Sequence, residues 1–419
     1  MKFRLICGAL LFTAGQAVAS GFALIEQSGS GMGNAYAGGA ASAEDASTIY
    51  YNPAGMSRLK GGQLVVGGSL INVSSVYSDA GSSPAAGRPL GNTSGNAGGF
   101  AGVPNAYVAM ALSDRMHIGL GVNVPFGMKT DYSAGWTGRF QALKSSIESI
   151  NLNPSFSYQV SDALALGAGV SYQQLRATLS NAKSFVGAGE GMSTMSGSGT
   201  DYGANAGALL NLGQSGRLGI AYRSSIGYKL NGTILVTNPA GMPVLSGSAV
   251  TYIKMPSTLS FSYFREMGKR WDVMADLTRT GWSSFPELVV ASGATGVTLS
   301  RTPENWRDTW RVSLGSNYHY SEQWTARMGL AYDQSPVTDA YRTARVPDAD
   351  RIWLALGGQY KPDKNSALDF GYAHLFVKAS PINNNTGAAG LPSTTTVANL
   401  LGSYASSVDI FSMQYAMGF

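Results

Sequence analysis

The fold is decided by the last nine residues of the sequence, which read Phe411-Ser412-Met413-Gln414-Tyr415-Ala416-Met417-Gly418-Phe419. Large apolar side chains occupy every odd position of this stretch, and small or polar side chains occupy every even position. A strand with one wholly apolar face needs lipid on that side and a lumen on the other. The stretch therefore predicts a strand of an outer-membrane β-barrel.

The composition of the chain favours the same fold. Hydrophobic residues make up 44% of the sequence and charged residues only 13%, yet no stretch after the N-terminus is long and apolar enough for a transmembrane helix. A soluble all-β protein, the alternative, would need a charged exterior opposite its apolar face. Here the opposite face is instead rich in Gly, Ser, Asn and Ala. Basic residues are scattered, so nucleic-acid binding is not expected.

The N-terminus has the features of a secretory signal peptide. Two basic residues precede a short apolar run, and residues 17–19 read Ala-Val-Ala. We expect residues 1–19 to be removed, so that the mature chain begins near Ser20. The single cysteine, Cys7, lies in this segment, and the mature chain would then have neither a disulfide nor a thiol ligand.

Six short polar turns divide the remaining chain, at residues 113–115, 161–162, 213–216, 268–270, 321–323 and 362–365. Between them lie pairs of alternating runs joined by longer connections, which we expect to face outward as loops at 74–103, 127–146, 181–199, 235–249, 288–305, 336–350 and 380–403. These connections give about 14 strands with both termini on the periplasmic side. We predict an all-β fold, a transmembrane antiparallel β-barrel over residues 62–419.

Residues 20–61 do not alternate. A barrel of about 14 strands is too wide for its own side chains to fill. We therefore predict that residues 20–61 form a small N-terminal plug, or hatch, inside the barrel. A disordered periplasmic tail is the alternative, but apolar residues such as Phe22, Leu24, Ile49 and Tyr51 argue against it.

Motifs along the whole mature chain carry a family resemblance. They include Gly21-Phe22-Ala23-Leu24, Gly31-Met32-Gly33-Asn34-Ala35-Tyr36, Asn52-Pro53-Ala54, Asn123-Val124-Pro125-Phe126-Gly127, Ala221-Tyr222-Arg223-Ser224 and Pro347-Asp348-Ala349-Asp350-Arg351. In order and spacing these motifs resemble the FadL family of outer-membrane transporters of long-chain fatty acids and other hydrophobic compounds. The resemblance implies a monomeric, hatch-containing barrel without cofactors, in contact with outer-membrane lipid and lipopolysaccharide. Aromatic-hydrocarbon channels form a branch of the family, so both substrate classes stay open.

A proline interrupts the third predicted strand. Proline cannot donate to a strand ladder, and Gly127 weakens the pairing further. Unpaired backbone groups facing lipid are costly, so such a break is tolerated only where it lines a cavity. In the family a kink in this strand opens a side window, which maps here to Asn123, Val124, Pro125, Phe126 and Gly127. The alternative is that the strand ends at Val124 and Pro125 begins an outer loop.

The resemblance assigns two further sites. The turn Asn52-Pro53-Ala54 would hold the hatch against the wall by hydrogen bonds, near the opening. Two apolar outer loops would form a capture groove, since methionine suits flexible acyl chains. Its expected lining is Phe185, Val186, Met192, Met195, Val236, Met242, Val244 and Leu245. Alternatively, these loops merely pack on each other and close the barrel mouth.

A fatty acid also needs a cation for its carboxylate. The candidates are Arg301, Lys183 and Arg176. The family has basic residues near 301 and near 181, but this chain has Asn181, so a neutral hydrocarbon stays open as the substrate. The three histidines stand far apart, and we predict no metal site.

Three rival functions remain to be weighed. A general porin would have an open lumen without a hatch. An outer-membrane lipase would need a catalytic Ser/His pair, but no Gly-x-Ser-x-Gly elbow lies at a strand-to-helix turn, and we do not expect an enzyme. A surface adhesin or receptor is compatible with any barrel that has long loops.

Overall fold

The computed structural model describes residues 20–85, 87–92, 94–185, 187–384 and 398–419. The predicted signal peptide and part of the predicted outer loop 380–403 lie outside these residues. No helix of the described part of the chain has the length and apolar character needed to cross a membrane.

The described residues form one continuous antiparallel sheet of 21 strand segments. They are β1 (Gly62–Asp79), β2 (Ser94–Asn96), β3 (Gly99–Ala111), β4 (Met116–Asn123), β5 (Gly127–Asp131), β6 (Lys144–Gln159), β7 (Leu164–Phe185), β8 (Gly189–Leu212), β9 (Gly216–Arg223), β10 (Ile226–Thr237), β11 (Pro243–Met255), β12 (Thr258–Met267), β13 (Trp271–Thr280), β14 (Glu287–Ser292), β15 (Thr298–Pro303), β16 (Thr309–His319), β17 (Trp324–Asp333), β18 (Arg351–Tyr360), β19 (Ser366–Val377), β20 (Ser380–Asn384) and β21 (Leu400–Gly418).

The sheet closes into a barrel because its first and last strands pair. β1 and β21 are in register from Gln63 opposite Gly418 to Asp79 opposite Gly402. Several barrel strands are interrupted and run as two segments, namely β4/β5, β9/β10, β11/β12, β13/β14 and β15/β16. The barrel has 14 strands, which confirms the predicted fold.

The alternation that predicted the barrel is visible in the last strand. Phe411 and Met413 are exposed on the outside, whereas Ser412 and Gln414 are buried inside. The Gln414 side chain accepts a hydrogen bond from the backbone N–H of Gly29, at 2.9 Å. The polar face of the strand therefore holds the hatch while the apolar face meets lipid.

The hatch consists of short helical turns. These are two 3₁₀ helices, Met32–Asn34 and Pro53–Arg58, and two α-helices, α1 (Gly39–Ser42) and α2 (Thr48–Tyr51). Met32–Asn34 contacts β16–β19, α1 contacts β8, β9, β12 and β13, and Pro53–Arg58 contacts β4 and β6–β8. Because these elements touch strands around most of the barrel, the segment lies inside it. Two further 3₁₀ turns, Trp282–Ser284 and Asp339–Tyr341, lie after β13 and β17.

Several outer connections are strands rather than the predicted loops. β7 and β8 pair as far as Phe185 opposite Gly189, and β10 and β11 pair as far as Thr237 opposite Pro243. The predicted loops at 181–199 and 235–249 are therefore wrong. These segments are rich in Gly, Ser and Thr, but the extended ladder pairs their backbone groups.

Candidate functional site

The third barrel strand is broken between Asn123 and Gly127. β4 ends at Asn123 and β5 begins at Gly127, and both segments pair with β6. The strand therefore resumes after Pro125 and does not turn into an outer loop there.

The break leaves a gap in the barrel wall on the side of the interrupted strand that faces β3, away from β6. Only Ala106–Ala111 of β3 pair with β4, and Gly99–Asn105 pair with β1 alone among the described strands. The opening between Gly99–Asn105 and Gly127–Asp131, called here the wall gap, ends where the N–H of Asp131 donates to the carbonyl of Ala97 at 3.3 Å.

The hatch supplies the missing hydrogen bonds from inside. The N–H of Gly127 donates to the carbonyl of Phe22, and the N–H of Leu24 donates to the carbonyl of Pro125, each at 2.9 Å. The Gln27 side chain donates to the carbonyl of Val124 at 2.7 Å and accepts from its N–H at 3.1 Å. The hatch segment Phe22–Gln27 thus replaces a neighbouring strand at the break.

The break also reverses the direction of Phe126. Alternation places Phe126 on the lipid face with Leu120, but it is only 6% exposed and contacts Phe22 and Trp282, with ring centroids 6.4 and 6.3 Å away. The aromatic cluster around Phe22 therefore buries the Phe126 ring inside the barrel, and the alternation is interrupted at this residue. The hatch also lies close to the strand here, since a Cβ at Gly127 would lie 2.9 Å from Leu24 Cδ1.

The turn at Asn52 fastens the hatch to another part of the wall. Asn52 Nδ2 donates to the carbonyl of Ala208 in β8 at 3.0 Å and to that of Ala40 at 2.7 Å. A Cβ at Gly207 would lie 2.1 Å from Asn52 Oδ1, so the turn sits directly on the strand backbone. Phe22–Gln27 is the hatch segment bonded to the interrupted strand, and nothing in its sequence pattern indicated that role.

A cavity of about 120 Å³ lies between the hatch and the wall. Its lining includes Glu26 and Tyr50 from the hatch and Arg223 and Arg311 from the wall. Arg223 donates to the carbonyl of Tyr50 at 2.9 Å, and Arg311 donates to that of Ala35 at 2.7 Å. Alternation along β16 could have indicated Arg311, because Trp310 and Val312 on either side of it face lipid.

Glu26 is a buried acid of this cavity with one unpaired carboxyl oxygen among the described residues. Its side chain is 2% exposed, and its Oε2 has no hydrogen-bond partner among the described residues. Burial raises the pKa of Glu26 to about 7, against the opposing effect of Arg351 and Arg311. The carboxyl therefore changes charge near neutral pH.

The predicted capture groove is only partly assembled. Met195 is 9% exposed and lines an apolar cleft of about 60 Å³ with Leu230, Ile253 and Phe285, and Val236 packs beside it. The remaining described members do not line the cleft: Phe185 is half-buried at a hairpin end, and Met192, Met242, Val244 and Leu245 are exposed. Val186 lies outside the described residues. The structure therefore does not bring these described residues into one groove with Met195 and Val236.

The predicted cations do not converge. Arg301 is exposed and pairs with Glu287 at 2.7 Å, Arg176 is exposed on β7, and Lys183 is half-buried near the end of the same strand. None of the three lines the inner cavity or the apolar cleft. Sequence reasoning selected them by position and missed the inward-facing Arg311.

Other polar groups have structural partners. His319 contacts Asp272 and His374 contacts Asp409, each at 2.8 Å, and His117 bonds the carbonyl of Leu59 at 3.0 Å. Within the described ranges, no three His, Cys, Asp or Glu side chains are grouped to hold a metal ion.

A second space, of about 680 Å³, lies at the end of the barrel that carries the short turns, the end predicted to face the periplasm. Charged side chains from both the hatch and the wall line it, including Glu44, Asp45, Arg217, Asp272, Arg327 and Lys361. Arg327 joins the two parts, pairing with Glu44 of the hatch at 2.9 Å and with Asp369 of the wall at 3.0 Å. This vestibule is therefore polar, unlike the cleft at the outer end.

The sequence profile of the family described as outer membrane protein transport protein (OMPP1/FadL/TodX) matches residues 10–419. The chain belongs to this family. This OMPP1/FadL/TodX member is therefore an outer-membrane transporter of hydrophobic compounds. It is 30% identical over 436 residues to the 47 kDa outer membrane protein of Pasteurella multocida, covering 95% of this chain and 96% of the relative.

Three further proteins can be compared with the OMPP1/FadL/TodX member. The long-chain fatty acid transport protein of Escherichia coli K12 is 28% identical over 408 residues, covering 88% of this chain and 90% of the relative. The solved structure of a Pseudomonas aeruginosa FadL homologue superposes with a TM-score of 0.87 at 26% identity, covering 95% of this chain and 99% of the homologue. The toluene transporter TodX of Pseudomonas putida shares the fold, with a TM-score of 0.72 at 17% identity over 94% of this chain and 98% of TodX.

Proposed function

We propose that this transporter takes up long-chain fatty acids and releases them sideways, through the wall gap, into the outer leaflet of the outer membrane. The observation that carries the proposal is the gap itself. Edge backbone groups facing lipid are costly, and a barrel normally abolishes them by closure. An opening at Gly99–Asn105 is therefore a feature that needs a function.

The periplasmic vestibule argues against a straight path through the barrel. An acyl chain of about sixteen methylenes loses roughly 13 kcal/mol of favourable burial when it enters water, at about 0.8 kcal/mol per methylene. The vestibule is lined by charged groups such as Arg327 and Asp369, which offer no compensation. A route sideways into lipid avoids this cost.

The outer cleft supports capture of an apolar chain. Met195, Leu230, Ile253 and Phe285 line it, and Phe285 also contacts Phe22 at 5.8 Å between ring centroids. Because Phe22 begins the hatch segment at the break, apolar side chains connect the cleft to the wall gap. A chain captured outside can therefore reach the gap along apolar contacts.

The inner cavity supports binding of a carboxylate. Arg223 and Arg311 both line it, and Nε of Arg311 has no hydrogen-bond partner within the described residues. Asn105 at the rim of the gap is 3% exposed with both amide atoms unpaired among those residues. Buried polar atoms without partners are rare in native proteins. An anionic head group would accept a hydrogen bond from Nε of Arg311 in the cavity, and from Nδ2 of Asn105 when it passes the gap.

The names of relatives support the same substrate class. The Escherichia coli relative is a long-chain fatty acid transport protein, and its identity to this chain exceeds that of the toluene transporter. Aromatic-hydrocarbon uptake is the alternative within the family, and a surface adhesin or receptor is the alternative outside it. One barrel is the proposed working unit, since the cleft, cavity and gap all form within one chain.

The test replaces Asn123–Gly127 with a regular alternating strand segment. In cells with no other fatty acid transporter, we expect normal folding in the outer membrane but loss of labelled oleate uptake. Straightening the break at residues 224–225, between β9 and β10, is the matched control and should leave uptake unchanged. Normal oleate uptake by the first variant would contradict sideways release. Uptake of labelled toluene but not oleate by the wild type would favour the hydrocarbon alternative.

A further inference from the structure

An apolar groove of about 1370 Å³ runs along the lipid-facing side of the barrel next to the wall gap. It is lined by strands from both sides of the gap, with Phe100–Pro104 on β3 and Lys129 on β5. From the gap it continues across β1, β21, β19 and β18. The groove is therefore the first surface that a molecule leaving through the gap would meet.

Missing side chains create the groove. Gly68 and Gly102 contribute outward-facing positions without side chains, and their cross-strand neighbours are Pro104 and Leu70. The exposed side chains of Phe100, Leu70 and Phe411 stand around them. A trough with a small-residue floor and large apolar walls fits a narrow chain better than a flat wall does.

One cation stands at the outer end of the groove. The side chain of Lys129 is 26% exposed, and within the described residues its one ion pair, with Asp131, is long at 4.0 Å. Continuing the register in which Ala106 faces Val122 would place Lys129 level with Gly99, just beyond Phe100. The charge therefore lies at one end of an otherwise apolar trough.

We propose that this groove is an exit site that holds the released molecule as a single acyl chain, with its anionic head on Lys129. The proposal rests on sideways release, and it deepens it by naming where the chain goes after the gap. Charge complementarity selects the occupant, since a neutral hydrocarbon would gain nothing from Lys129. Continuity with the wall gap selects a leaving substrate over a resident membrane lipid.

The dimensions agree with this occupant. Lys129 lies level with Gly99, and Gly99 pairs with Val73 on β1. Val66, at the inner end of the groove, lies seven residues before Val73 on the same strand. The distance from Val73 to Val66 is therefore roughly 23 Å, at about 3.3 Å per residue. Strands tilted by about 40° convert this length into roughly 18 Å of depth. That is close to one leaflet of a hydrocarbon core about 30 Å thick. A long chain held at Lys129 would therefore end near the middle of the bilayer.

Photo-crosslinking in vesicles tests the site directly. The mature protein is reconstituted with a palmitate analogue that carries a diazirine at the chain end, and labelled peptides are identified by mass spectrometry. We expect labelling to concentrate on the peptides containing Val66 and Tyr415. Lys129→Glu should lower that labelling about three- to five-fold, the range of a partly exposed ion pair. Lys129→Arg should retain it, as should Lys229→Glu, which changes an exposed lysine on β10.

Three outcomes would overturn the exit site. The first is labelling that is spread evenly around the barrel. The second is labelling by the palmitate analogue that Lys129→Glu does not change. The third is that a phospholipid carrying a diazirine labels the same peptides as strongly as the palmitate analogue does, in the wild type and in Lys129→Glu alike. The last result would assign the groove to resident lipid. Because the analogue reaches the groove from the vesicle bilayer, the experiment does not need transport. The two proposals can therefore fail separately. Failure of the crosslinking test with normal dependence of oleate uptake on the break would reject the exit site alone, whereas oleate uptake that does not depend on the break would reject sideways release.

A second variant tests the groove by shape. Val66→Trp fills its inner end with a bulky side chain, whereas Val170→Trp adds the same bulk to an exposed lipid-facing position on β7. We expect Val66→Trp to lower chain-end labelling by the palmitate analogue and to spare an octanoate analogue, whose chain is half as long. Equal effects of the two tryptophan variants, or equal effects on both chain lengths, would contradict the proposal.

Discussion

Substitution of Gln27 by alanine tests how the hatch holds the interrupted strand. Gln27 is fully buried, and its side-chain amide forms two hydrogen bonds with the backbone of Val124, at 2.7 and 3.1 Å. Gln27→Ala leaves the N–H and the carbonyl of Val124 without partners. Each orphaned group costs about 1–3 kcal/mol, so the local cost is roughly 2–6 kcal/mol.

This cost should appear as local opening of the hatch segment. At the lower bound, roughly 2 kcal/mol corresponds to about a thirty-fold rise in the open population. Hydrogen–deuterium exchange of the protein in detergent measures it at the amides of Val124 and Gly127. We expect both to exchange at least about thirty-fold faster, because the N–H of Gly127 is bonded to Phe22 of the same segment. The paired residues Ile118–Val122 should keep their protection.

The control removes a buried glutamine elsewhere. Gln173 on β7 is 2% exposed and forms no hydrogen bond with residues 123–127 of the described chain, so Gln173→Ala removes a similar volume without opening the break. Unchanged protection of Val124 and Gly127 in the Gln27→Ala variant would refute the role of Phe22–Gln27 as a replacement strand. Equal loss of amide protection in both variants would mean that the whole barrel becomes less stable, not only the hatch segment.

Three further predictions concern the hatch, the vestibule and the outer cleft. The folded pKa of Glu26, about 7, lies above its ordinary value of 4.5. The contribution of Glu26 to stability is therefore fully present below pH 4.5 and is lost as the pH rises through 7. Glu26→Gln should remove this loss, up to roughly 3 kcal/mol between pH 5 and 8, as measured by thermal unfolding. Arg327→Ala breaks an ion pair with Glu44 of the hatch, at a cost of about 3–5 kcal/mol. We expect the variant to show a higher single-channel conductance in planar bilayers. Conductance equal to that of the wild type would exclude Arg327 as a residue that holds the hatch. Met195→Asp should weaken binding of labelled oleate at least about ten-fold, because it buries a charge in the cleft, while the exposed Met242→Asp should not; equal binding by the two variants would argue against capture in the cleft.

Much of the barrel could be predicted from local patterns. A strand exposes alternate residues to lipid and lumen. The sequence of Phe411–Phe419 therefore predicts which residues face lipid, and the structure exposes the same residues. Short polar turns then gave the strand number. The weakness of Pro125 in a ladder is equally local, since it follows from the missing N–H of one residue type.

Composition led to a wrong prediction for the outer ends of four strands, which were expected to be loops. Segments 181–199 and 235–249 are rich in small and polar residues, as loops are, yet their backbone groups pair across β7, β8, β10 and β11. Outside lipid a strand needs no apolar face, so composition alone does not separate it from a loop.

The residues that form the site come together only through long-range contacts. Gln27 and Val124 are far apart in sequence, and their pairing depends on the hatch entering a barrel that β1 and β21 have closed. Arg223 and Arg311 meet one cavity from different strands. Local periodicity decided which face of each strand meets lipid, because that choice depends on single side chains and the solvent beside them. Barrel closure and hatch docking decided which inward groups meet, because those distances depend on the positions of all the strands at once.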